Sequence, residues 1–560
     1  MKEKYIELME RSLSAYSDEH ILRYFNDVKT NGLTEHGFPR LTVCIGILNA
    51  HARRMDLFPL FLEMMEFCCK TIPCVKAAND FSVREIVCCL LEIEDSKLVS
   101  KEITKRWRKY LAAIEPTSCY NKFATSPTDT VRNWALFTAV SEYFRLNADI
   151  GGSMDFIELQ LCQQLQWIDE NGMYMDNASH EKHQPIVYDT VPRELFSLLL
   201  ARGYRGKYYT VIDNILKKSG LLTLGMQSPN GEIAFGGRSN QFLHNETTLI
   251  HIFEYEAKRY AKEGDYALAA RFKAASARAL AVIEEWLNKE PIRHIKNRYP
   301  TETGYGCEKY AYFDKYMVTV ASGLYAAYLL CDDSIPFEPC KDLEPCVTVT
   351  SEHFHKLFLK SGGYGLEFDL DADPNYDANG LGRIHKDGAP CAIAISSPCP
   401  SAPKYTLDIE KCVALSACSA IKTDDIWMLG AEVGCTYEII SCNTKDDKAN
   451  AELCCHFTNG NSTKELYTVD TNGISVTVCG NGEIGFTLPA LDFDGEKYSE
   501  ISTDPHSLSI SYDGWICRYT TDGNITDMNR IAANRNGHYR VLIATAQNTL
   551  NVKIEIIKKL

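Results

Sequence analysis

The sequence predicts a multidomain α+β chain, helical over residues 1–335 and all-β over residues 346–560. Three observations carry that prediction. The chain has 560 residues, 45% hydrophobic and 24% charged, which is ordinary globular composition at a length of two or three domains. Up to about residue 335, apolar residues recur at i, i+3 and i+4, the period of an amphipathic helix. After Cys346 the period falls to two, the signature of half-buried strands.

The helical signal is clearest over residues 130–145, 154–167, 193–203 and 265–288. Gly or Pro breaks the pattern at intervals, which predicts a large array of paired helices rather than one bundle. No TPR or HEAT consensus repeats along it. A connector follows at residues 331–345, carrying Pro336, Pro339 and Pro345. Alternation then marks residues 347–350, 356–359, 392–396, 474–478, 507–512 and 550–556, with Gly, Asn and Asp between the runs. About fifteen short strands fit there at the usual strand length, which predicts stacked antiparallel sheets.

Charge and cysteine narrow the class. Fifty-nine Lys+Arg stand against 74 Asp+Glu, a net charge of −15. A duplex nucleic acid or an acidic membrane surface is repelled on average, so neither is expected as a partner. No apolar run has transmembrane length. The first residues, Met1 to Glu7, carry charges where a signal peptide needs an apolar stretch, so a cytoplasmic location is expected. The 22 cysteines include the adjacent pairs Cys68-Cys69, Cys88-Cys89 and Cys454-Cys455, which bridge each other only with strain. Buried free thiols in a reducing compartment are the simple reading.

Five segments carry chemistry. Arg132-Asn133-Trp134 opens a helix. The Asn133 amide either points into a groove, where it can hydrogen-bond a carboxylate, or caps the helix with Trp134 in the core. Next come Asn171-Gly172, His180, His183, Tyr188, Asp189 and Arg193, a dense set of proton-transfer groups on a loop and the first turns of a helix. Tyr188 is a poor base at its ordinary pKa, so a cation such as Arg193 or a histidine must favour its phenolate. The third segment is Ser228-Pro229-Asn230-Gly231, then Gly236-Gly237-Arg238-Ser239-Asn240 and His244-Asn245-Glu246. Arg238 can grip a carboxylate or sulfate with two parallel bonds, beside Asn240 and His244. The fourth, residues 293–316, holds five Lys/Arg and five tyrosines around Tyr305 and Glu308. Such a mixture stacks on sugar rings and holds acidic groups, or simply packs between helices. The fifth is Gly380 to Lys386 with His385, a histidine for proton transfer near neutrality. His353 and His355 share one strand face and could ligate zinc, but no third ligand is near in sequence, so no metal is assigned and a structural ion stays open.

This layout, with these motifs, resembles polysaccharide lyases of the heparinase II/III-like and alginate-lyase type. The resemblance covers most of the chain. It implies an N-terminal (α/α) toroid, an incomplete barrel of helical hairpins, followed by a C-terminal antiparallel β-sandwich. In those lyases a toroid Asn or His and the catalytic Tyr are separated by a stretch similar to the 55 positions between Asn133 and Tyr188. The resemblance implies that Asn133 neutralises a uronate carboxylate, Tyr188 is base, acid or both, and a β-domain histidine, His385, completes the site. His183 is a second candidate on the Tyr188 loop. Trp134, Arg193, Arg238, Asn240, His244, Tyr305 and Glu308 are the expected substrate contacts.

The implied reaction is β-elimination on an anionic, uronate-containing oligosaccharide, with no metal or organic cofactor. A cytoplasmic enzyme would meet imported oligosaccharides, which suggests exo action. Oligomeric state stays open, a homo-oligomer included. A glycoside hydrolase on the same scaffold needs two flanking carboxyl groups, for which Asp189, Glu246 and Glu308 are at hand. A uronate C5-epimerase shares the proton-abstraction groups, and a non-catalytic carbohydrate-binding protein needs only the aromatics.

Overall fold

A computed structural model describes residues 1–176, 182–337 and 344–559. His180 and Pro339 therefore lie outside the described residues. Among those described, all α-helices precede residue 331 and all strands follow residue 345.

The helices alternate between an inner and an outer layer. The inner ones are Gly37–Ala50, Val83–Ser96, Trp134–Asn147, Ile186–Ala201, Asn245–Glu263 and Phe313–Leu330. Each packs on the next, and the last packs back on the first. Between them in sequence run outer helices such as Phe58–Thr71, Lys101–Ala112, Met154–Gln164, Tyr209–Met226 and Tyr266–Leu287. Lys2–Leu13 lies against the last inner helix. Burial follows this layering. Every residue from Gly37 to Asn49 is buried, whereas Lys101–Ala112 buries only Thr104, Trp107 and Leu111. An inner helix surrounded by neighbours needs no polar face; an outer one keeps a single apolar stripe.

Local signals set the hairpins. Gly264 ends Asn245–Glu263 in the left-handed conformation. Asp265 then accepts the Leu268 N–H and starts Tyr266–Leu287. Close helix approach is built in at Gly46, where an added Cβ would stand 2.3 Å from the Phe61 ring and 2.5 Å from Cys89 Sγ.

The β part has two antiparallel sheets. The smaller is Cys346–Val349, Lys356–Ser361, Tyr364–Asp369 and Gly380–Lys386, in that order. The larger is built around two long paired strands, Gly473–Phe493 and Gly537–Lys558, with register from Ile474↔Ile554 to Phe493↔His538. These long strands depart from the short ones expected. Leu357, Leu366 and Phe368 of the small sheet share a core with Tyr467, Val476 and Ile554 of the large one. The small sheet's other face meets the toroid: the Phe235 N–H donates to Glu367 Oε2 at 3.0 Å, and Arg383 Nη1 donates to the Ile233 carbonyl at 2.7 Å. Two of its strands are consequently buried at every residue. Residues 392–396, expected as a strand, form an irregular buried segment held by Ile384 N–H on the Ile395 carbonyl. Prolines 390, 398 and 400 around it lack the N–H a ladder needs.

Candidate active site

A cavity of about 350 Å³ opens at one end of the inner ring. Its wall takes the first turn or two of each inner helix in order. His36 and Arg40 come from the first, Phe81, Arg84 and Glu85 from the second, and Asn133, Trp134 and Phe137 from the third. Tyr188, Val191 and Glu194 come from the fourth, His244, Thr247 and Thr248 from the fifth, and Lys315, Tyr316 and Thr319 from the sixth. Six helix N-termini thus converge on one space. Each brings the positive end of its dipole, which favours an anion at this mouth, although first-turn N–H groups such as those of Gly37, Arg84 and Ile186 are already bonded to Glu35, Ser141 and Gly236.

The side chains reinforce that sign. Three cations, Arg40, Arg84 and Lys315, face two carboxylates, Glu85 and Glu194. Arg40 Nε donates to Glu85 at 2.9 Å and its Nη1 donates to Thr319 Oγ1 at 2.8 Å. Arg84 Nη2 donates to Glu85 at 3.1 Å. Both carboxylates are thus held by arginine or histidine, since Glu194 also lies 3.2 Å from His251 Nδ1.

Tyr188 is half-buried on this wall. Its hydroxyl lies 3.2 Å from Ser239 Oγ, and Ser239 Oγ lies 2.5 Å from the Tyr310 hydroxyl. A chain of three hydroxyls results. The Arg238 guanidinium sits 4.5 Å from the centre of the Tyr188 ring, within cation–π range. Ser239 has a positive φ of 63° and is fixed by its N–H on Glu308 Oε1 at 2.8 Å. Glu308 in turn takes both arms of Arg535 from the β domain.

His244 stacks on Tyr316 with ring centroids 5.4 Å apart. Burial, then the Arg40 charge, lowers its pKa to about 3, so its imidazole is neutral at neutral pH. His36 is lowered by the same two causes. Burial pushes the Tyr310 and Tyr316 hydroxyls well above the usual tyrosine range. The depressed His244 value has a consequence for stability. The unfolded chain binds a proton at this histidine below about 6.5, whereas the native chain stays neutral down to about 3. Stability is therefore lost as pH falls through that window. His244→Gln is expected to flatten the acid limb of the stability profile, measured as urea midpoint against pH.

A second, smaller cavity of about 250 Å³ adjoins at Arg238, between toroid and small sheet. His183, Arg238, His355, Lys356, Asp369, Asp377 and Lys404 line it. The His183 and His355 rings meet edge to face at 5.0 Å. Burial, then His355, lowers the His183 pKa. His355 Nδ1 faces Asp369 at 3.3 Å, and its Nε2 is buried without a hydrogen-bond partner. Burial raises Asp369, but Lys356 and His355 outweigh it and hold the group at about 2.

The structure brings Asn133, Trp134, Tyr188 and His244 to one cavity and puts His183 and Arg238 in the next. Asn133 occupies the cap position, yet its side chain makes no capping bond. The other expected residues are elsewhere. His385 is a correction: it lines neither cavity, is 1% exposed and lies 2.6 Å from Ser228 Oγ, because its strand abuts the toroid away from the mouth. Arg193 is a second correction: it is fully buried and paired with Asp189 one helical turn back. Asn240 is spent on the Ala234 carbonyl at 3.2 Å. Glu308 holds Ser239 and Arg535, and Tyr305 lies on neither cavity wall. Sequence pattern alone passes over His36, Arg40, Arg84, Glu85 and Glu194. Their signal is a charge or histidine in the first turns of an otherwise apolar helix.

No family model and no curated protein matches the sequence. Among solved structures, the chain is similar to a mutant heparan sulfate lyase HepC from Pedobacter heparinus, at 9% identity over 93% of this chain and 76% of that one, TM-score 0.49. It is similar to a structure titled Heparinase III at 8% identity over 90% and 74%, TM-score 0.47. It is also similar to a GH127 β-L-arabinofuranosidase from Geobacillus stearothermophilus at 9% identity over 99% and 80%, TM-score 0.33. None of the three reaches a TM-score of 0.5, so these likenesses carry no functional weight beside the geometry of the cavity.

Proposed function

We propose that this chain is a polysaccharide or oligosaccharide lyase that cleaves a uronate-containing glycan by β-elimination. The observation that carries the reading is the convergence of six helix N-termini and three cations on the cavity that holds Tyr188 and Asn133. A uronate carries its carboxylate on the carbon whose proton must leave. Hydrogen bonds and positive charge at that carboxylate stabilise the enolate-like intermediate more than the ground state. Asn133, Arg40 and Arg84 suit that role.

The C5 proton then passes to a base, the C4–O bond breaks, and a C4=C5 double bond forms. Tyr188 is the base, with the Ser239 and Tyr310 hydroxyls in line to share its proton. The leaving oxygen takes a proton from Tyr188 or from a histidine. His355, with its unpartnered buried Nε2, replaces His385 as the β-domain candidate. No metal or organic cofactor enters this scheme.

The three carboxyl groups first considered for a hydrolase are paired elsewhere, and the two that do line the cavity, Glu85 and Glu194, are held by Arg40, Arg84 and His251. Asp189 is tied to Arg193, Glu246 to Lys296 and Glu308 to Arg535, and none of the three lines the cavity. Exo action on small oligosaccharides fits a cavity of about 350 Å³.

The test is ultraviolet absorbance with a panel of uronate oligosaccharides. Elimination conjugates the new double bond to the carboxylate and absorbs; hydrolysis does not. A flat absorbance with new reducing ends would sink the lyase reading. Asn133→Ala is expected to cut kcat about 10²–10³-fold, as for loss of one donor at a developing charge.

A further inference from the structure

Where the small sheet meets the toroid, away from the mouth of the cavity, three potential ligands converge that the proposed reaction does not use. Glu232 leaves the toroid on the loop before Asn245–Glu263. His385 comes from strand Gly380–Lys386, and Cys391 from the turn that follows it. One ligand atom from each lies within 4.8 Å of the other two. Among the described residues no other group of three or more His, Cys, Asp and Glu does this.

The surroundings point to an ion. His385 is 1% exposed and its Nε2 is buried with no hydrogen-bond partner. Its Nδ1 lies 2.6 Å from Ser228 Oγ. With Nδ1–H donated to that hydroxyl, the Nε2 lone pair faces the cluster, the arrangement usual for a metal-ligating histidine. The Asn230 amide donates to Cys391 Sγ at 3.1 Å and so orients the sulfur toward the cluster, while burial, then Glu232, keeps the metal-free thiol protonated. Lys296 and Arg383 flank Glu232 at 3.4 and 3.7 Å, but Lys296 is also bonded to Glu246 and Arg383 to Glu367. Two cations are thus shared among three carboxylates, and neither belongs to Glu232 alone.

We infer that Glu232, His385 and Cys391 form a divalent metal site of the zinc class that ties the toroid to the β domain. Carboxylate, imidazole and thiolate together suit Zn²⁺ in four-coordinate geometry. Glu232 and Cys391 also line a cavity of about 520 Å³ with Asn230 and Lys296, from which a water can complete the shell. The inference stands independently of the lyase reading.

The test uses the full chain stripped with a chelator and titrated with Co²⁺, then Zn²⁺. One equivalent of Co²⁺ is expected to give a near-ultraviolet thiolate-to-cobalt band, and Zn²⁺ to displace it and raise the melting temperature. Cys391→Ser, nearly isosteric at a half-buried position, should abolish the band and the zinc-dependent rise. Ser228→Ala keeps all three ligands and should weaken binding about 10–100-fold. A wild-type chain with no cobalt band would overturn the site. So would a band that survives Cys391→Ser, or an affinity unchanged by Ser228→Ala.

Discussion

Tyr188→Phe is expected to lower kcat about 10²–10⁴-fold, the span of general acid–base catalysis, while substrate affinity stays within a few-fold. The change removes one oxygen and keeps the ring. Arg238 can still stack on that ring, and the cations and helix N-termini proposed to hold a carboxylate are untouched. What disappears is the hydroxyl bonded to Ser239 and, through it, to Tyr310. The split between kcat and KM is the diagnostic. A residue that only contacts substrate would raise KM at constant kcat. Tyr310→Phe should do less harm, since burial keeps that hydroxyl protonated and it can only relay. A Tyr188→Phe enzyme with wild-type kcat would remove Tyr188 from the chemistry. The Ser239 hydroxyl and His244 would then be the groups to test.

The division of the chain was legible in the sequence because period is a local property. The inner helices announce themselves through continuous apolar runs, and the strands of the large sheet through alternation. The cavity was partly legible for a related reason. Asn133 and Tyr188 stand at helix starts, and in a ring of parallel inner helices all such starts meet at one end. The same rule picks out His36, Arg40 and Arg84 once the ring is known, but the ring is a long-range fact. His385 shows the limit. It sits in a promising glycine-rich motif, yet which face of a sheet touches which end of a toroid depends on pairings such as Glu308 with Arg535, 227 residues apart. No local pattern encodes that distance. Arg193 is different. Its spacing of four from Asp189 is the ordinary signature of an intrahelical pair, and it was readable in advance.

That pair supports the second large prediction. Arg193→Met is expected to destabilise the toroid by about 3–5 kcal/mol, the usual cost of leaving one partner of a buried ion pair alone. Both side chains are 0% exposed. Arg193 also donates to Thr223 Oγ1 at 2.6 Å, and Asp189 Oδ1 accepts the Tyr174 N–H at 2.8 Å. Burial pushes the Asp189 carboxyl up even with Arg193 opposing it. Without the guanidinium the native state keeps a proton there that the unfolded chain gives up near pH 4. The native state then binds more protons than the unfolded one, so stability falls as pH rises. The variant should therefore show a larger deficit at about pH 8 than at about pH 5, read as urea midpoints. Adding Asp189→Leu removes the stranded charge and should recover much of the loss. Were Arg193 a substrate contact, the single variant would keep its midpoint and raise KM instead. The enclosure of the pair by Tyr174, Ser219 and Thr223 argues for the first outcome. It also gives the pair its use: it pins residues 168–176 to the helix that carries Tyr188.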